Sequence, residues 1–255
     1  MTPIQRDTLR KQAEREQAQA IMPALQPLDR AMRYRLGADR ARLKKIASMQ
    51  RKAEVKAELI SDYLPYLEGM MAAGRGDEVL TQVMIWAFDA ENMPVFEQLA
   101  RYALDNGIAM PTEFARPLGS WLAESVAKWT LRQFEAQANS PVANTVNPFA
   151  LWISEQTAQM DMHDEIRAKL KRVCGELLVN SLPAIALDYF EAAIRLDPHI
   201  RIKKRITALR EQLAATESPS SQGQAAAGDT VDVITTLKSP SQMIPSPAAL
   251  KEHQQ

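Results

Sequence analysis

Between residues 28 and 60 the chain sets Arg30, Arg33, Arg35, Arg40, Arg42, Lys44, Lys45, Arg51, Lys52 and Lys56 chiefly against Asp39, Glu54 and Glu58. Cations at this density can neutralise successive phosphates of a polyanion and release its counterions. Arg33, Arg35, Arg40, Arg42, Lys44, Lys45, Arg51 and Lys52 are therefore the candidate phosphate-contacting set. The blander reading is a solvated helix face, although such faces usually mix both signs of charge. A second, smaller basic cluster runs from His199 through Arg201, Lys203 and Lys204 to Arg205 and is open to the same two readings.

Asp161, His163, Asp164 and Glu165 are the residues best suited to metal-assisted hydrolysis, which needs clustered carboxylates around a divalent ion. Contiguous acids at the start of a helix do not all face one point, however, and negative charge is favoured there by the helix dipole. Capping is the simpler reading, and no metal is assigned. The lone Cys174 excludes an internal disulfide framework and a cysteine-based zinc site, and reads as a buried thiol in a reducing compartment. No Gly-x-x-x-x-Gly-Lys-Ser/Thr loop is present, so no nucleotide motor is placed in this chain. No cofactor is implied.

The elements that must carry these residues read as helices. The 255 residues contain only nine glycines, and Ala, Leu, Glu, Gln, Lys and Arg dominate most windows. From Leu28 to Ile60, Met32, Leu36, Leu43, Ile46, Ala53, Ala57 and Ile60 recur at three- to four-residue intervals, as one long amphipathic helix or a helical hairpin. The Gly74-Arg75-Gly76-Asp77 turn can cap a helix running to Phe88; Asn92 or Met93 opens the next, with Pro94 early and Gly107 late. Another helix fits between Pro117 and Pro141, Asn147-Pro148 looks like a further start, and Asp164 leads into Ile166, Leu170, Val173 and Leu177. Trp121, Trp129 and Phe134 could stack on bases, but their helical spacing suits a core face better.

Residues 94–104 and 184–194 resemble each other, with Ala103 and Ala193 at equivalent positions. The segment ending at Asp197-Pro198 is similar to the second helix of a tetratricopeptide repeat, which implies stacked helical hairpins. The expected fold is thus all-α: a long basic N-terminal helix or hairpin followed by stacked, repeat-like hairpins. A charged arm (1–27, with a helix over 4–20), a basic helical segment (28–60), a hairpin core (61–214) and a flexible tail (215–255) divide the chain. Two apolar islands in the tail, 231–237 and 243–250, could dock on a partner. The charged opening shows no signal-peptide pattern, and no apolar run is long enough to span a membrane.

Three phrases carry a resemblance to a known family. Val83-Met84-Ile85-Trp86-Ala87-Phe88-Asp89, then Leu99-Ala100-Arg101-Tyr102-Ala103-Leu104, and Asp164-Glu165-Ile166-Arg167-Ala168-Lys169-Leu170 strongly resemble the small terminase subunits of peduovirus-type tailed phages. The similarity spans roughly residues 30 to 213. It implies an oligomer, expected to be a ring, that recognises a packaging site on double-stranded viral DNA in the cytoplasm of the bacterial host and recruits it to the large terminase ATPase. Some members carry an endonuclease label, whereas this sequence shows no motif for cutting. Two alternatives stay open: a metal-dependent endonuclease subunit, or a helical-repeat adaptor that contacts only proteins.

Overall fold

A computed structural model describes residues 27–138 and 147–217 of the protein. The helix expected at 4–20 and the tail islands at 231–237 and 243–250 lie outside the described residues. Among those described there are nine α-helices and no strand: α1 (Pro27–Lys44), α2 (Met49–Ala72), α3 (Glu78–Asp89), α4 (Met93–Asp105), α5 (Leu118–Ala138), α6 (Phe149–Gln156), α7 (Asp164–Leu178), α8 (Pro183–Leu196) and α9 (Lys203–Glu217). The all-α class is as expected.

The basic segment is two helices. Its break follows from local chemistry: α1 tightens at its end, with Lys45 N–H donating to Arg42 O and Ile46 N–H to Leu43 O at 3.2 Å. Ser48 then caps α2, its hydroxyl accepting from Arg51 N–H at 3.2 Å. The helix continues unbroken past residue 60 and through Pro65. That proline is exposed, as is Ser61 four residues earlier, so water can satisfy the carbonyl that loses its helical partner.

Three helix ends share one stop signal. After α2, Arg75 N–H reaches Met70 O at 3.0 Å, with Gly74 in the left-handed conformation at φ 68°. After α4, Ile108 N–H reaches Ala103 O at 2.8 Å around Gly107, φ 62°. After α3, Asn92 N–H reaches Ala87 O at 2.8 Å, but the left-handed position is Glu91, φ 55°. A side chain there is strained where glycine is not. Glu91→Gly is therefore expected to raise stability by about 0.5–1 kcal/mol, read as a higher denaturation midpoint with an unchanged urea dependence.

Helix α3 is the centre of the main core. Every residue from Val79 to Ala87 is buried, because α2 and α4 pack on either side of it and α1 lies against it. Phe96 of α4 is fully buried, with ring centroids 5.0 Å from Phe88, 6.4 Å from Trp121 and 5.8 Å from Phe149. Four helices thus meet at one aromatic cluster. Trp121 and Phe134 are half-buried, and Trp121 packs within this cluster.

A second core lies among α7, α8 and α9, built from Ala168, Val179, Ala186, Phe190, Ala193, Ile200, Ile202, Ile206 and Leu209. The paired segments are alike in burial as well as sequence: Phe96, Ala100 and Ala103 of α4 are buried at the same register as Ala186, Phe190 and Ala193 of α8. Gly175 lets α7 approach α8 closely, since a Cβ there would lie 2.6 Å from the Phe190 ring.

Candidate nucleic-acid interface

Helix α1 turns Asp29, Met32, Leu36 and Leu43 inward. That orientation puts three of the eight candidate cations, Arg33, Arg35 and Arg40, within reach of carboxylates on the body, and a fourth, Arg51, pairs within α2. Arg33 pairs with Asp77 at 2.9 Å and Glu78 at 3.5 Å. Arg35 binds Asp62, lies 3.6 Å from Asp39 and covers the Tyr63 ring at 5.2 Å. Arg40 donates to Gln82 Oε1 at 2.8 and 2.6 Å and pairs with Glu113 at 2.9 Å. Arg51, on α2, pairs with Glu54 at 2.9 Å and Glu58 at 3.9 Å.

The other four candidates have no carboxylate partner among the described residues. Arg42, Lys44 and Lys45 are exposed at the end of α1, and Lys52 is half-buried in the first turn of α2. They bracket the α1–α2 turn. Arg42 and Lys44 also complement the carbonyl end of α1, a favourable placement that leaves their outer N–H groups unengaged. Arg30, at the other end of α1, is exposed and equally without a carboxylate. In the second basic cluster Arg205 pairs with Glu176 at 3.1 Å, while Arg201, Lys203 and Lys204 are exposed.

Of the carboxylates that divide the set, Asp39, Glu54 and Glu58 stand in the same sequence window, whereas Asp62, Asp77, Glu78 and Glu113 were not singled out from sequence as partners. Asp29 is buried, accepting from Tyr66 Oη at 3.1 Å and pairing with Arg75 at 2.7 Å. Asp39 accepts from Tyr63 Oη at 2.8 Å. Asp77 was legible only as a cap for α3, which it is, with Val79 N–H donating at 2.9 Å. Lys56 is buried and bound to Asp89. Helix α1 is thus joined to α2 and α3 by a polar clasp as much as by its three buried apolar side chains.

The clasp makes a prediction for alkaline solution. Burial, then the hydrogen bond to Asp39, raises the Tyr63 pKa well above the ordinary phenol value; burial, then Asp77 and Asp29, does the same for Tyr66. Burial also pushes the Cys174 thiol up to about 11. The folded chain therefore keeps protons that the unfolded chain releases, from about pH 9 for the thiol and about pH 10 for the phenols. Stability should fall as pH rises through that range, by up to about 1.4 kcal/mol per pH unit for a fully buried phenol. Urea titrations between pH 8 and 11 check this, and Tyr63→Phe should flatten the fall.

The alternative metal cluster does not assemble. Asp164 and Glu165 form the first turn of α7, and His163 precedes it without a side-chain capping bond. Among the described residues no three His, Cys, Asp or Glu side chains come close enough together to hold a metal ion.

The family model for the phage small terminase subunit matches residues 33–165. The chain is also similar to the protein named "Terminase, endonuclease subunit" of Escherichia phage P2, at 31% identity over 245 residues, covering 93% of this chain and 96% of that protein. The chain belongs to the phage small terminase subunit family. No solved structure matches it.

Membership of the small terminase subunit family places the protein in phage DNA packaging. Among the described residues no helix is long and apolar enough to cross a membrane. The family-like phrases are packing devices in this small terminase subunit. The first lies in the buried α3, where its Asp89 holds Lys56. In the second, Leu99, Ala100 and Ala103 are core, and Arg101 stacks on Trp152 at 4.2 Å. In the third, Arg167 donates to Thr157 O at 3.3 Å, Ala158 O at 3.1 Å and Met160 O, satisfying carbonyls at and beyond the end of α6.

Proposed function

We propose that this small terminase subunit binds double-stranded viral DNA through the α1–α2 turn and presents it to the large terminase ATPase in the host cytoplasm. The observation that carries the reading is the turn's four cations, Arg42, Lys44, Lys45 and Lys52, which lack carboxylate partners among the described residues while Arg33, Arg35, Arg40 and Arg51 are paired. Cations already satisfied within the fold have less to gain from a phosphate; unpaired ones release counterions from DNA on contact. Arg33, Arg35, Arg40 and Arg51 then orient α1 and α2 and contribute less to the phosphate contacts. Assembly of several copies in a ring would raise the effective concentration of each weak contact.

The test is binding of the full chain to duplex DNA over a range of salt concentrations, using a fragment from its phage's packaging region and a scrambled one. Binding that weakens steeply with salt supports the reading. No binding at about 50 mM salt removes it and favours an adaptor that contacts only proteins. The P2 relative's name includes an endonuclease activity, so cleavage is followed in the same samples with magnesium or manganese. Cutting by the isolated chain, abolished by alanine at Asp161, His163, Asp164 and Glu165, would favour the nuclease reading instead.

A further inference from the structure

The face of α1 opposite its buried side is built unlike the rest of that helix. Ala31, Tyr34, Ala38 and Ala41 recur at intervals of three and four residues, and at 100° per residue they lie on the side away from Met32, Leu36 and Leu43. All four are exposed, Tyr34 at 71%. On the same wheel Arg42 flanks one edge of this ridge, and Arg30 and Lys44 flank the other. None of these three cations has a carboxylate partner among the described residues.

We infer that this ridge enters the major groove of duplex DNA, with Tyr34 contacting base edges and Arg30, Arg42 and Lys44 held by the phosphates on either side. The inference rests on the DNA-binding reading above and adds to it the face that reads sequence. Its argument is charge and shape together. A helix about 10–12 Å across fits a groove about 12 Å wide. Alanines along the ridge let the helix sink towards the groove floor, and alanine methyls suit the thymine C5-methyl group. Phosphate rows border the groove on both sides, matching cations on both edges of the ridge. A second copy of α1 is a poor occupant, because pairing two such ridges would bring like charges together.

The test is selection of the full chain on a random-sequence duplex pool, followed by affinity measurements on the enriched sequence and a scrambled one, for the wild type, Tyr34→Ala and Ala38→Leu. Because Tyr34 is so exposed, its replacement should leave helix content and thermal midpoint unchanged, and Ala38→Leu provides an independent probe of the same face. The expected result is an enriched wild-type sequence whose preference over scrambled DNA drops about tenfold in each variant, with scrambled binding and its salt slope intact. The inference is overturned if both variants keep the wild-type sequence and preference. It is equally overturned if the wild type binds duplex in a salt-dependent way but enriches nothing; in both cases phosphate binding at the turn still stands. Failure to bind any duplex overturns both. Variants that bind DNA normally but lose the large terminase subunit assign the ridge to an acidic protein helix instead.

Discussion

Replacing Arg42, Lys44, Lys45 and Lys52 together with glutamine is expected to lower affinity for duplex DNA by on the order of 100- to 1,000-fold near 0.1 M salt. The size follows from counterion release: each phosphate contact contributes about 0.9 to the slope of log affinity against log salt, so four contacts should remove about 3 to 4. The side chains lack carboxylate partners among the described residues and three are exposed, so the fold should be nearly unaffected, with helix content retained. Arg33→Gln is the matched contrast. It leaves Asp77 and Glu78 without their cation and should cost roughly 1–2 kcal/mol of stability while changing the salt slope much less. Titrations of the two variants at four or five salt concentrations separate the outcomes. If the quadruple variant is folded and binds with unchanged affinity and slope, the turn is not the phosphate contact.

Phe96→Ala carries the largest expected effect on stability, about 3–5 kcal/mol. Phe96 has no exposed surface, and its ring meets Phe88, Trp121 and Phe149, which lie on α3, α5 and α6. Truncation leaves a cavity that four helices cannot readily close, and it removes edge-to-face contacts beyond the lost apolar burial. Phe96→Leu retains much of the volume and should cost less than half as much. Denaturant titrations of the three proteins check this; equal losses for alanine and leucine would show that ring geometry, rather than cavity volume, dominates. Such a loss is a large fraction of the total stability of an ordinary domain, so the alanine variant should also accumulate poorly in cells.

The two effects belong to different parts of the molecule, and this bears on how the family resemblance is read. The recognisable phrases fall on α3, α4 and α7, where Trp86, Leu99, Ala103 and Ile166 are core and Arg167 satisfies the end of α6. Those phrases identify the scaffold. The cations proposed to touch DNA stand on α1 and the start of α2, attached to that scaffold through Asp29, Asp39, Asp62 and Asp77.

Much of the architecture was legible because its signals are local. Asp77 and Asn92 cap the helices they precede, Gly107 adopts the left-handed turn after α4, and Asn147 accepts from Phe149 N–H at 2.9 Å to start α6. A cap or stop depends on backbone groups within a few residues, so residue type and spacing carry the information. The aligned register of 94–104 and 184–194 was legible for the same reason, since helical periodicity sets which positions share a face. The break between α1 and α2 was weaker, resting on Ser48 in a segment otherwise rich in helix formers.

What the sequence by itself determined, then, was an all-helical scaffold, its recurring hairpin and a basic segment near its N-terminal end. Only the tertiary structure decided which of the cations on α1 are engaged, whereas Arg51 pairs locally with Glu54 and Glu58. Arg33, Arg35 and Arg40 meet Asp77, Asp62 and Gln82, which lie 44, 27 and 42 residues away along the chain. Charge in a sequence window is blind to carboxylates brought in by packing over such separations, and an ion pair forms only where side chains approach to within a few ångströms.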